Sequence, residues 1–161
     1  MQVYVNAEMT VCPCGGMENR EKRSGAGSRD AHAHGKGYAD CCGRYLDGGE
    51  AAPTAEALMR SRYTAYVLRR EDYLLETWHP DTRPASLELA GEPNPKWLGL
   101  EIKRRHEQPE PNRALVEFVA RYKVAGRACR LHEVSQFVRE AGRWLYVDGD
   151  MIRRMEKGAK A

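Results

Sequence analysis

Long apolar runs are missing from this chain of 161 residues. That excludes a membrane-spanning helix, which needs about 20 consecutive apolar residues. Residues 1–11 (MQVYVNAEMTV) lack both a basic start and an apolar core, so no secretory signal is predicted and a cytoplasmic protein is expected. A charge excess is missing too. The 26 Lys and Arg nearly balance the 23 Asp and Glu, and a net charge of +3 argues against a nucleic-acid groove. The short run Lys103-Arg104-Arg105 precedes a turn and reads as a solvated strand end. What is present is an ordinary soluble composition, 30% charged and 42% apolar, with room for one domain and a small appendage.

Four of the five cysteines fall in two tight pairs, Cys12-Pro13-Cys14 and Cys41-Cys42, each followed by glycine. A C-x-C pair and an adjacent C-C pair each bring two sulfurs together with little chain to order. Gly15, Gly16 and Gly43 let the backbone curl around an ion. Four thiolates form a closed, structural zinc shell. Disulfides would need an oxidising compartment. An iron–sulfur cluster also uses four thiolates, but these spacings differ from those of the common ferredoxin motifs. Zinc is therefore the expected cofactor, on ligand type. Cys129 stands alone in a predicted strand and reads as a small core hydrophobe.

Residues 17–34 are polar, rich in Gly, Ser and charge, and lack apolar periodicity, so they predict a flexible insert between the two cysteine pairs. His32 and His34 lie in it, but four thiolates already fill a shell. A helix is predicted after Pro53, with Thr54 as N-cap and an apolar stripe of Leu58, Met59, Tyr63, Tyr66 and Val67. A second helix spans about residues 71–79 and ends at Pro80, and a short third is sketched around 84–90. Alternating runs then predict strands at 96–106, 116–122, 128–139 and 143–147, with turns at 108–112, Gly126 and Ala141-Gly142. Helices followed by a meander make an α+β plan: N-terminal helices packed on a curved antiparallel sheet of about four strands.

The stretches CPCGG, YADCCGRY, LMRSRYTAY, DYLLETWHP, WLGLEI, VEFVARY and HEVSQFVREAGRWLYVDG, in this order from Cys12 to Gly149, resemble the YchJ family of bacterial proteins. The resemblance implies a small zinc knuckle of the SecA C-terminal type, followed by a cone-shaped domain of the nuclear transport factor 2-like class. Cys12, Cys14, Cys41 and Cys42 match the metal ligands. It divides the chain into a zinc motif at 1–49 with the insert at 17–34, an α+β domain at 50–150, and a basic tail at 151–161. Three departures stand out. The family's glycine-serine-glycine reads Gly15-Gly16, two basic residues of its E-R-S-R-F stretch are replaced in Glu133-Val134-Ser135-Gln136-Phe137, and the second zinc motif of some relatives is not found in these residues. The resemblance carries an architecture rather than an activity.

Two functional readings follow. In the first, a zinc-stabilised module presents a small rigid surface to another protein, with Lys36, Arg44 and Tyr45 as contacts, or the knuckle merely caps the cone. In the second, the cone holds a small-molecule site, with an isomerase or dehydratase activity by fold analogy alone. Its lining would be Tyr63, Tyr66, Trp78, His79, Trp97, Phe118, Glu133, Ser135, Phe137 and Trp144. Only Glu133 and His79 could act as acid or base. The blander expectation is that Glu133 pairs with Arg60 or Arg62 and that His79 caps carbonyls at a helix end. His132 is expected on the sheet face opposite Glu133. A filled cone favours the first reading, and a large cavity beside Glu133 the second.

Overall fold

The computed structural model describes residues 11–16, 37–89, 91, 94–107 and 110–152. The predicted insert at 17–34, with His32 and His34, lies outside them, as do Lys36 and residues 153–161 of the tail. A 3-10 turn at Tyr38–Asp40 leads into α1, Gly43–Leu46. Then come α2 (Ala55–Val67), α3 (Glu71–Glu76) and four strands: β1 (Lys96–Glu107), β2 (Arg113–Val124), β3 (Arg127–Glu140) and β4 (Arg143–Met151). The strands form one antiparallel meander in the order β1-β2-β3-β4. The α+β plan read from the sequence is the plan of the molecule.

Helix α2 starts where expected. Thr54 is extended, and its hydroxyl accepts from Ala57 N at 3.0 Å, a side-chain N-cap. Its end is a Schellman turn built on a non-glycine residue. Arg69 adopts φ 56°, Arg69 N donates to Tyr66 O, and Arg70 N donates to Ala65 O at 2.8 Å. The helix is buried on nearly every side: Glu56, Ser61, Arg62 and Thr64 are as enclosed as Leu58 and Tyr63. A stripe of apolar residues backed by a solvated face does not describe it. The polar residues meet the cysteine motif, α3 and the sheet.

The second helix is shorter than predicted. It stops at Glu76 because Thr77 and Trp78 leave it to pair with β4: Tyr146 N donates to Thr77 O, and His79 N donates to Tyr146 O. Pro80 follows this change and does not cause it. No helix forms at residues 84–89, which run irregularly. Leu87 N and Ser86 Oγ both donate to Glu71 Oε1, so this segment spends its donors on the α3 N-terminus.

The hairpins at Ala125-Gly126 and Ala141-Gly142 have positive φ at both positions, which matches the right-handed twist of the strands. Register shifts at Trp97/Gly99, Ile102/Arg104 and Gln136/Phe137 bend the sheet around the helices. Strand β4 continues through Asp148 and Gly149 to Met151, past the end predicted near 147. Its ladder with β3 pairs Ser135 with Gly149 and carries the strand on. Cys129 is half-buried beside the β2–β3 hairpin and lies outside the core it was expected to join. The core is continuous: Cys12, Cys14, Tyr38, Cys42 and Leu46 of the cysteine motif belong to the same buried cluster as Leu58, Tyr63, Phe118 and Phe137.

Candidate metal centre

Each cysteine pair sits on a tight turn. After Cys12, Gly15 N donates back to Cys12 O at 3.0 Å, and Gly15 and Gly16 take φ of 84° and 72°, a region natural only to glycine. Cys41 closes the 3-10 turn, and Cys42 opens α1. Gly43 must lack a side chain, because a Cβ there would lie 2.7 Å from Tyr38 O. The turn is anchored by Tyr38 OH, which donates to Asp47 at 2.8 Å, and by Arg70, which donates to Asp47 and to Leu46 O.

These turns bring four sulfurs from two distant segments within 4.8 Å of one another. Cys14 Sγ lies 3.5 Å from Cys41 Sγ, and Cys41 Sγ lies 4.0 Å from Cys42 Sγ. A tetrahedral shell of metal–sulfur bonds of about 2.3 Å has edges of about 3.8 Å, so the four cysteines fit such an ion. Cys12, Cys14 and Cys42 are buried and Cys41 is half-buried. Without a cation, so dense a cluster shares protons. Hydrogen bonds from Cys14, Cys41 and Cys42 push the Cys12 pKa down, whereas its three neighbours and burial push Cys42 up. A divalent ion would release those protons and stabilise the thiolates.

The flanking domain reaches into the cluster. Thr64 Oγ1 donates to Cys42 Sγ at 3.2 Å and lies 3.7 Å from Cys12 Sγ. Arg60 Nη1 donates to Cys14 O at 2.9 Å, and Gly16 N donates to Cys14 Sγ at 3.3 Å. Neither Thr64 nor Arg60 was read as part of the metal site. Nothing in a single sequence marks a helical threonine as facing a sulfur cluster.

The ten residues named as a pocket lining are spread over the buried core and the margins of several depressions. Four surface depressions among the described residues are each lined by at most two of the ten, and none of these four by Glu133. Tyr63, Phe118, Ser135 and Phe137 are buried in the core. Trp97 packs against Tyr63, Tyr66 and Tyr122 with ring centroids 5.2–5.9 Å apart. Trp78 and Phe137 both pack edge-on to Tyr146. Between these groups stands Arg62, 3% exposed, its guanidinium 5.0 Å from the Trp78 ring and 4.5 Å from the Tyr146 ring. Arg62 Nη1 donates to Leu74 O and Thr77 Oγ1 at 2.8 Å each. Burial works against its charge, and Tyr66, Tyr146, Tyr73 and Glu133 oppose that effect. An arginine four residues from both Leu58 and Tyr66, inside the apolar stripe, was the available signal for this role.

Glu133 is held differently from the expectation. Its Oε1 accepts from Ser135 Oγ at 2.8 Å and Tyr146 OH at 3.2 Å, and its carboxylate lies over Gly149, where a Cβ would collide with it. Arg62 acts on it through the field, and Arg60 turns the other way, to Glu56 and Cys14. His79 caps no carbonyl with its ring: Nε2 meets Glu140 at 2.9 Å and Nδ1 accepts from Asp81 N. His132 pairs with Glu117 at 2.8 Å on the face opposite Glu133. Trp144 stacks under Arg139 at the sheet end. Beside the cysteines, Arg44 is exposed, paired with Glu50 and stacked over Tyr45.

No helix among the described residues is long and apolar enough to cross a membrane. Residues 54–149 match the YchJ middle NTF2-like domain. A UPF0225 protein of Polaromonas naphthalenivorans is 52% identical over 143 residues, covering 89% of this chain and 98% of its own length. A UPF0225 protein of Bordetella pertussis is 58% identical over 121 residues, 72% of this chain and 87% of its own. Two solved structures are similar, each with a TM-score of 0.66. One is the solution structure of a SEC-C motif containing protein from Rhodopseudomonas palustris, 37% identical, covering 75% of this chain and 96% of its own. The other is the crystal structure of a SEC-C motif containing protein from Psychrobacter arcticus, 29% identical, covering 90% and 84%. With a four-cysteine cluster docked on an NTF2-like domain, and relatives that align over nearly all of it, this chain belongs to the YchJ (UPF0225) family.

Proposed function

We propose that the cysteine cluster holds one structural zinc ion and that the chain works as a protein-binding module, with the zinc knuckle and its Arg44–Tyr45 edge as the contact surface. The single observation that supports it best is the closed set of four sulfurs, three of them buried, which leaves no open coordination position for chemistry. Zinc is preferred to an iron–sulfur cluster because C-x-C plus C-C departs from the common cluster spacings. The aromatic packing around the buried Arg62 gives the isomerase or dehydratase alternative less support, since His79 lines a depression that does not include Glu133, whose carboxylate is bonded to Ser135 and Tyr146.

Metal analysis of protein purified without chelator should give one zinc per chain. Near-zero metal, or an iron–sulfur absorbance, overturns the zinc assignment. For the contact surface, a pull-down in zinc-replete buffer should retain a protein with the wild-type chain and lose that same protein with Arg44→Glu and Tyr45→Ala. Retention by both variants would place the contact elsewhere.

A further inference from the structure

We infer that Thr64 is a positioning residue of the metal centre: its hydroxyl is the hydrogen-bond donor that holds the Cys42 sulfur and tunes its donor strength. The inference rests on the zinc reading above and extends the site into the NTF2-like domain, beyond the four cysteines.

The geometry is specific. Thr64 is fully buried near the end of α2, at 0% exposure. A helical threonine has a restricted χ1, so its hydroxyl direction is set by the helix. Its common alternative in a helix is a bond to a carbonyl one turn back. Here the hydroxyl instead reaches Cys42 Sγ at 3.2 Å, with Cys12 Sγ at 3.7 Å. Four thiolates on a divalent ion carry an excess of two negative charges. Buried charge of that kind needs donors, because desolvation is otherwise uncompensated. Donors to sulfur from outside the four thiols include Gly16 N on Cys14, the Cys14 backbone on Cys12, and Thr64 on Cys42, and among these three Thr64 alone is a side chain. Arg60, one turn before Thr64 on the same helix face, adds a cation at Cys14 O. A hydroxyl bonded to a thiolate is a charge-assisted hydrogen bond, stronger than one to a neutral thiol. Groups that hydrogen-bond metal ligands typically change metal affinity 10–100-fold when removed.

The test uses the full chain with Zn²⁺ and Co²⁺ as probes. Thr64→Val keeps the volume and removes the donor, and Thr64→Ser keeps the donor. Thr64→Ala guards against a valine that fails to pack. Competition with a chromophoric chelator should show zinc held about tenfold or more weakly in Thr64→Val and Thr64→Ala, and near wild type in Thr64→Ser. With Co²⁺, the sulfur-to-metal charge-transfer band should move to lower energy in the valine and alanine variants, because the unbonded thiolate is the better electron donor. The serine variant should keep the wild-type band. A merely structural role would leave that band in place. Equal zinc retention and an unmoved band in the valine and alanine variants overturn the inference while the zinc reading stands. A wild-type chain that takes up neither metal overturns both.

Discussion

At the residue scale, Glu133, read as a possible acid or base, and Arg62, read as its possible partner, belong to a packed network. Arg62 stacks on Trp78 and Tyr146 and satisfies Leu74 O and Thr77, and Glu133 accepts hydrogen bonds from Ser135 and Tyr146. Arg62→Leu should lower stability by about 2–4 kcal/mol, because it leaves buried acceptors without a donor and removes a buried cation–π contact. Arg62→Lys should recover little, since an ammonium cannot lie flat between two rings. Urea unfolding measures both. Gly149 is the complementary case. Its missing side chain makes room for the Glu133 carboxylate, so Gly149→Ala should destabilise by about 1–3 kcal/mol. Adding Glu133→Ala to that variant should cost less than the two single changes summed. Strict additivity would mean that the carboxylate does not occupy that space. Glycine at 149 read only as a strand end in the sequence, because the neighbour that requires it comes from another strand.

At the element scale, local signals were reliable where the physics was local. The Thr54 cap, both two-residue hairpins and the strand alternation depend on a few neighbouring residues and were legible. Helix α3 and the segment after it were less so. Trp78 pairs with Tyr146, 68 positions later in the chain, and that pairing ends the helical conformation before Pro80 can. The C-terminus of α2 carries a local backbone strain. Arg69 holds φ 56° with its neighbours bonded as a Schellman turn, a position glycine fills without a steric cost. Arg69→Gly should therefore be neutral or stabilising by up to about 1 kcal/mol, against the usual penalty for glycine near a helix. A thermal melt showing a clear loss would mean that the Arg69 side chain contributes more than its backbone costs.

At the scale of the whole molecule, the cysteine motif and the NTF2-like domain share one core. Metal binding should then stabilise the entire chain. Chelation should lower the melting temperature by about 5 °C or more when followed by tryptophan fluorescence, although all three tryptophans lie outside the cysteine motif. An unshifted tryptophan transition would show the two parts to be independent. Metal should also be held more tightly at about pH 8 than at about pH 6, because ligation takes protons from thiols such as Cys42, whose pKa its neighbours and burial raise. The sequence by itself determined the four-cysteine motif, the order of helices and strands, and the family, because paired cysteines, caps, turns and alternation act over short distances along the chain. Only the tertiary structure decided that Arg62 is buried between Trp78 and Tyr146, and that Thr64 and Arg60 join the cysteine cluster. Those outcomes depend on which faces meet across long sequence separations, and a buried polar side chain takes its partner from whatever the fold brings within hydrogen-bond reach.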